Sequence, residues 1–175
     1  MNPIADTQRW LERAVIGLNL CPFAKAVFVK GQIRWVESTA RSPAQLLQEL
    51  AHEMQHLAAA PAEQTDTTLV IAPHTLADFD DFNQFLGVAD DVLAELGHEG
   101  VLQLASFHPQ YRFAGEPEGD MSHFTNRSPH PTLHLLREDS VSRAVAAVPD
   151  ADTIVERNIA TLRRLGLAGW QRLLR

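Results

Sequence analysis

The sequence predicts an α/β fold: a mixed, partly parallel four-stranded sheet covered by helices, in a single domain over residues 1–175, with α+β as its near neighbour. Three observations predict it. Segments of helical apolar period alternate with short β-branched runs along most of the chain. That alternation favours right-handed βαβ crossovers, and so parallel neighbours. The last two strand-like runs are instead joined by a long polar loop, which suits an antiparallel pair.

Each element has a local cause. Residues 3–19 form an amphipathic helix, with Ile4, Leu11, Ala14, Val15 and Leu18 on one face and Arg9, Glu12 and Arg13 turned away. The run "AVFVKGQIRWV", 26–36, is β-branched and aromatic and is expected to be strand, with Gly31 at a bulge or turn. Ser42, Pro43 and Gln45 spell a capped helix start. Leu47, Leu50, Met54 and Leu57 give that helix its stripe, and Pro61 ends it. "TTLVIAP" is a short buried strand. Thr75 and Asp78 can cap the next helix, whose seam of Phe79, Phe82, Leu86, Ala89, Leu93 and Leu96 stops at Gly97. "VLQLASFH" and "PTLHLLR" are the last two strands, separated by the polar loop 114–124. Asp139 caps a helix closed by Pro149, "DADTIVERNIATLRRLG" is helical to Gly166, and "AGWQRLLR" is a terminal amphipathic turn.

Composition narrows the function classes. The formal charge of -7 lacks the basic face that nucleic acid or an anionic membrane needs. One cysteine forbids an internal disulfide and fits a reducing compartment. No secretory pattern opens the chain, and no apolar stretch reaches the ~20 residues that span a bilayer. The expectation is a soluble, cytoplasmic protein whose oligomeric state is open.

The stretch "LAHEMQHLA" contains His52-Glu53-Met54-Gln55-His56, the H-E-x-x-H spacing of zinc hydrolases. At helical pitch, however, His52 and His56 lie roughly 150° from the apolar stripe and face solvent. Glu63, Asp66 and His74 are possible third ligands, but no extended zincin pattern follows. Zinc is therefore the alternative, and no cofactor is expected.

The denser polar region is "FHPQYRFAG" with "FTNRSPHPTLHLLRE". Both stretches fall where strands meet loops, the usual ligand position in open α/β sheets. Arg112, Arg127 and Arg137, with Tyr111, Asn126 and Ser128, would form a cationic pocket for a small anionic molecule. His108 and His134, brought side by side, would supply acid or base. The bland readings are a hydrogen-bonded core histidine and surface ion pairs to Glu116, Glu118, Asp120 and Glu138. A weaker metal reading uses His108, His123, His130 and His134, but Pro131 interrupts the last pair.

Cys21, in "NLCPFAK", has two placements of opposite chemistry. At the end of the first helix the dipole makes it inert; at the start of a new turn led by Pro22, with Lys25 near, it is an activated nucleophile. A third function class is a non-enzymatic adaptor docking through Trp170, Leu173 and Leu174, unless those residues cover the protein's own core.

The segments "GLNLCPFA", "FHPQYRFAG", "NRSPHPTLHLLRE" and "DADTIVERNIATLRRLG" resemble, over nearly the whole chain, a bacterial domain-of-unknown-function family, number 1415 in its series. The resemblance implies a bacterial, cytoplasmic protein. It implies no activity, cofactor or catalytic residue. The leading expectation is a small-molecule enzyme or binding protein with the Arg/His pocket. The zinc hydrolase and the adaptor are the alternatives.

Overall fold

A computed structural model describes residues 2–175. The chain opens with α1 (Pro3–Trp10), capped by the Asn2 carboxamide, which accepts from the Ala5 amide at 3.0 Å. The helix continues in π-helical hydrogen bonding over Leu11–Ile16. That slightly wider winding places Trp10, Leu11, Ala14 and Val15 together in the interior.

The next segment differs from expectation. Residues 26–29 are not strand but part of a short helix, α2 (Ala24–Val29). Only the second half of the run is extended, as β1 (Ile33–Glu37). Gly31, at φ 67°, makes the turn between them. The physical reason is burial: Phe23, Ala24 and Val27 point inward at one-turn helical spacing, and packing overrides β propensity.

The rest follows the predicted order. Helix α3 (Pro43–Ala59) is capped by Ser42, which accepts from the Gln45 amide at 3.3 Å. Strand β2 (Thr67–Ile71) is buried throughout. Asp78 caps α4 (Phe79–Glu95) through the amides of Asp80 and Asp81. Strand β3 (Leu102–Phe107) leads through a short 3-10 turn, Met121–Thr125, to β4 (Thr132–Arg137). Helix α5 (Glu138–Ala146) starts one residue before its predicted cap, so Asp139 lies in the first turn. Helix α6 (Ile154–Leu173) breaks at Gly166, φ 66° and ψ 171°, where a stop was expected.

The four strands stand in the order β1-β2-β4-β3. β1 and β2 are parallel; β4 is antiparallel to both β2 and β3. The fold is therefore α/β with a mixed sheet. Helices α3 and α4 cover one face, over Val70, Leu133 and Leu135. The other face, carrying Ile33, Trp35, Phe107 and Leu136, lies under α1, α2, α5 and α6. No helix among the described residues is long and apolar enough to cross a membrane.

Candidate functional site

His134 sits on central strand β4, opposite Leu69 of β2 and Ala105 of β3. Its ring shares 2.6 Å with the Thr67 hydroxyl. That hydroxyl donates its own proton to the Leu135 carbonyl, also at 2.6 Å. The Thr67 oxygen therefore accepts from His134, so the ring carries its proton on Nε2 and leaves Nδ1 as a bare acceptor without a protein partner. Burial pushes the His134 pKa down to about 4, so the ring is neutral at neutral pH.

His134 and Thr67 border a cavity of about 320 Å³ between the sheet and the layer of α1, α2 and α5. Trp10, Val15, Phe23, Leu69 and Phe107 form much of its wall. Gln103 and Val145, both exposed, stand at its rim. The lining contains no Lys, Arg, Asp or Glu.

Cys21 lines the same cavity. It lies at the start of the turn into α2, the second of its two predicted placements. The amides of Phe23 and Ala24 do favour its thiolate, but burial outweighs them and raises the pKa. Two predicted catalytic residues thus line one cavity, yet burial disfavours the charged form of each. A thiolate–imidazolium pair is not favoured there.

His108 is not part of this arrangement. It follows Phe107, and successive strand residues face opposite sides, so His108 is on the α4 side of the sheet while His134 is on the other. The expectation that the two rings lie side by side is corrected. His108 is fully buried against Phe82, with ring centroids 4.9 Å apart. Both its nitrogens are in use: Nδ1 accepts from the Gln110 amide and Nε2 donates to the Leu76 carbonyl. It holds two loops together.

The predicted three-arginine pocket does not form either. Arg112 pairs with Asp80 at the surface, 2.5 Å away. Arg137 points to the other end of the sheet, donating to the carbonyls of Leu57 (2.7 Å) and Thr65 (2.9 Å) and also to that of Ala60. It satisfies the carbonyl end of α3. Arg127 sits over Phe124, its guanidinium carbon 4.3 Å from the ring centroid, with Nε donating to the Tyr111 carbonyl at 3.1 Å. Tyr111 packs on Phe79 and Phe113. Asn126 pins the loop to β3 by donating to the Ser106 carbonyl, and Ser128 donates to the His130 carbonyl. These side chains build the loop; of this set Arg127 and Ser128 border an open cleft beside α1 and α6, and Asn126 borders a separate hollow beside Phe113 and Ile159.

The histidines of the loop do not converge on a metal. His123 accepts from the Phe113 amide and donates to the Pro117 carbonyl, while His130 faces Asp6 at 3.5 Å. His52 and His56 are solvent-exposed, as their helical position predicts. Glu53 is buried, and Arg34 clamps its carboxylate through two hydrogen bonds of 2.6 and 3.1 Å. It is not free to act as a base. Among the described residues no three His, Cys, Asp or Glu side chains gather as a metal site. The adaptor contacts are also accounted for: Trp170 is buried edge-on against Phe124, with Leu173 and Leu174 packed on the same cluster.

Sequence reasoning missed Thr67, Gln103 and Trp10. The signal for Thr67 was present only in part: the run "TTLVI" opens with two buried threonines, and while Thr67 finds partners, the Thr68 hydroxyl has none. The family described as "Protein of unknown function (DUF1415)" has a model that matches residues 2–172. No curated protein and no solved structure matches the chain.

Proposed function

The chain belongs to the DUF1415 family of proteins of unknown function, and from its geometry we propose that it is a small-molecule-binding domain whose site is the cavity under α1, α2 and α5. The ligand is a small, neutral, largely apolar molecule carrying one hydrogen-bond donor. The observation that carries this reading is the His134 ring, which lines an apolar, charge-free space and is fixed by Thr67 so that its Nδ1 acceptor has no protein partner. Apolar walls supply affinity, and the single acceptor supplies orientation. An anion has no counter-charge in this lining and would lose its hydration without compensation. Cys21 contributes a soft, polarisable wall rather than a nucleophile.

The test is nitrogen NMR of His134 during titration with neutral probes such as phenol and indole, and with benzene as the donor-free control. Phenol and indole are expected to shift Nδ1 and to bind more tightly than benzene. A cavity that admits none of them, or that ranks benzene equal to phenol, would sink the reading.

A further inference from the structure

Arg127 is a cation without a counter-ion. Among the described residues no carboxylate pairs with it; its contacts are the Phe124 face and the Tyr111 carbonyl. It is half-buried, and burial lowers its pKa. Charges withdrawn from water are ordinarily paired, because an unpaired one costs free energy. With Nε committed to Tyr111, the guanidinium retains two terminal amino groups with no protein acceptor.

Its surroundings suit a particular ligand. The guanidinium borders a cleft of about 320 Å³ on the outer side of α1, walled by Trp10, Phe124 and Trp170. Arg9 and Asp6 also border it and pair with each other at 3.3 Å, and His130 faces Asp6. Counting Arg9 and Arg127 against Asp6, the cleft carries one net positive charge. That balance favours a monoanion over a phosphate dianion. The cation–π contact with Phe124 and the hydrogen bond to Tyr111 hold the fork in place, which reduces the ordering cost of a bidentate contact.

We propose that this cleft is a second ligand site, which takes a small aromatic carboxylate: the carboxylate sits on Arg127 and the ring lies against Trp10 and Trp170. The site is separate from the buried cavity, and its chemistry is opposite. Trp10 is a wall of both, whereas Trp170 borders the cleft alone. Trp170 is therefore the reporter that keeps failure of one proposal distinct from failure of the other.

The experiment is titration of the full chain with benzoate, read at the three tryptophan indole N–H resonances, with benzyl alcohol and inorganic phosphate as comparison probes. Benzoate is expected to move the Trp170 resonance, while benzyl alcohol and phosphate at equal concentration leave it in place. Arg127→Gln should weaken benzoate about tenfold or more. Arg127→Lys, which keeps the charge and is the safer variant for folding, should weaken it by less. If Arg127 only clamps its loop, benzoate will leave Trp170 unmoved. An unmoved Trp170, equal response to benzyl alcohol or phosphate, or undiminished benzoate binding by either folded variant would each overturn the proposal.

Discussion

Thr67 and His134 are joined across the two central strands by a 2.6 Å hydrogen bond, and the Thr67 hydroxyl passes its own proton to the Leu135 carbonyl. One threonine thereby decides which imidazole nitrogen carries hydrogen. The consequence reaches the cavity, because the nitrogen left bare is the one without a protein partner.

Thr67→Val is expected to destabilise the domain by about 1–3 kcal/mol, since it strands a buried imidazole N–H and removes the donor to a buried carbonyl. His134→Phe on its own leaves Thr67 with its carbonyl bond. The double variant should cost less than the sum of the singles, because the two share one interaction. Denaturant midpoints of the four proteins check this; strict additivity would mean that the contact is energetically idle.

Stability should fall in acid through His134 in particular. Its folded pKa of about 4 lies below its unfolded value near 6.5, so the unfolded chain binds the extra proton first. The contribution is fully present above the unfolded value and is lost as pH falls through the folded one. Near pH 4.5 most of it is gone, a loss of roughly 2.5 kcal/mol. His108, which burial also lowers, acts in the same direction. Comparing wild type with His134→Phe at pH 7.5 and 4.5 isolates the effect: the variant should lose less on acidification.

How far the sequence foretold these features depends on the range of the physics behind each. Helices α3 and α4 were legible because their caps and apolar stripes are local. The exposure of His52 and His56 followed from helical pitch alone. Residues 26–29 were misjudged as strand because Val27 and Phe28 suit either structure, and only packing of Val27 against Leu136 settles the matter. His108 and His134 were placed together by loop topology, but a one-residue step in strand parity put them on opposite faces. The cavity was not legible at all. Its walls come from residues as far apart as Trp10 and Ile154, and no local pattern marks residues that meet only after folding.

Glu53→Gln is expected to destabilise the domain, by about 1–2 kcal/mol. The estimate stays below the full cost of breaking a buried pair because Arg34 is 38% exposed. His52→Ala and His56→Ala should each change stability by less than about 0.5 kcal/mol. Chelator should leave the melting temperature unchanged. A zinc hydrolase would behave in the opposite way, with the histidine variants and chelator producing the large effects.

Arg137 should prove structural. Its terminal amino group gathers the carbonyls of Leu57, Ala60 and Thr65, closing the end of α3 over the turn into β2. Arg137→Gln is expected to cost about 2 kcal/mol or more, and Arg137→Lys less, because an ammonium reaches fewer of the three. Ligand titrations at the cavity and at the Arg127 cleft should be unaffected in either variant that folds. A selective loss of ligand without loss of stability would restore Arg137 to a binding role.

Cys21 provides the sharpest division between a binding cavity and a catalytic one. Alkylation follows the thiolate, and burial makes that form scarce at neutral pH. The rate of reaction with iodoacetamide should therefore keep climbing with pH beyond the ordinary thiol range, and stay slower at pH 7 than for free cysteine. A Cys21–His134 ion pair would instead give a plateau of high reactivity extending into acid. His134→Phe would abolish that plateau, but should leave the climbing profile in place if the imidazole is neutral. Phenol bound in the cavity should slow the reaction further, because the thiol lines the space that phenol fills. A reaction rate indifferent to phenol would place the probe elsewhere, and an acid-side plateau lost on His134→Phe would make the cavity a nucleophilic site.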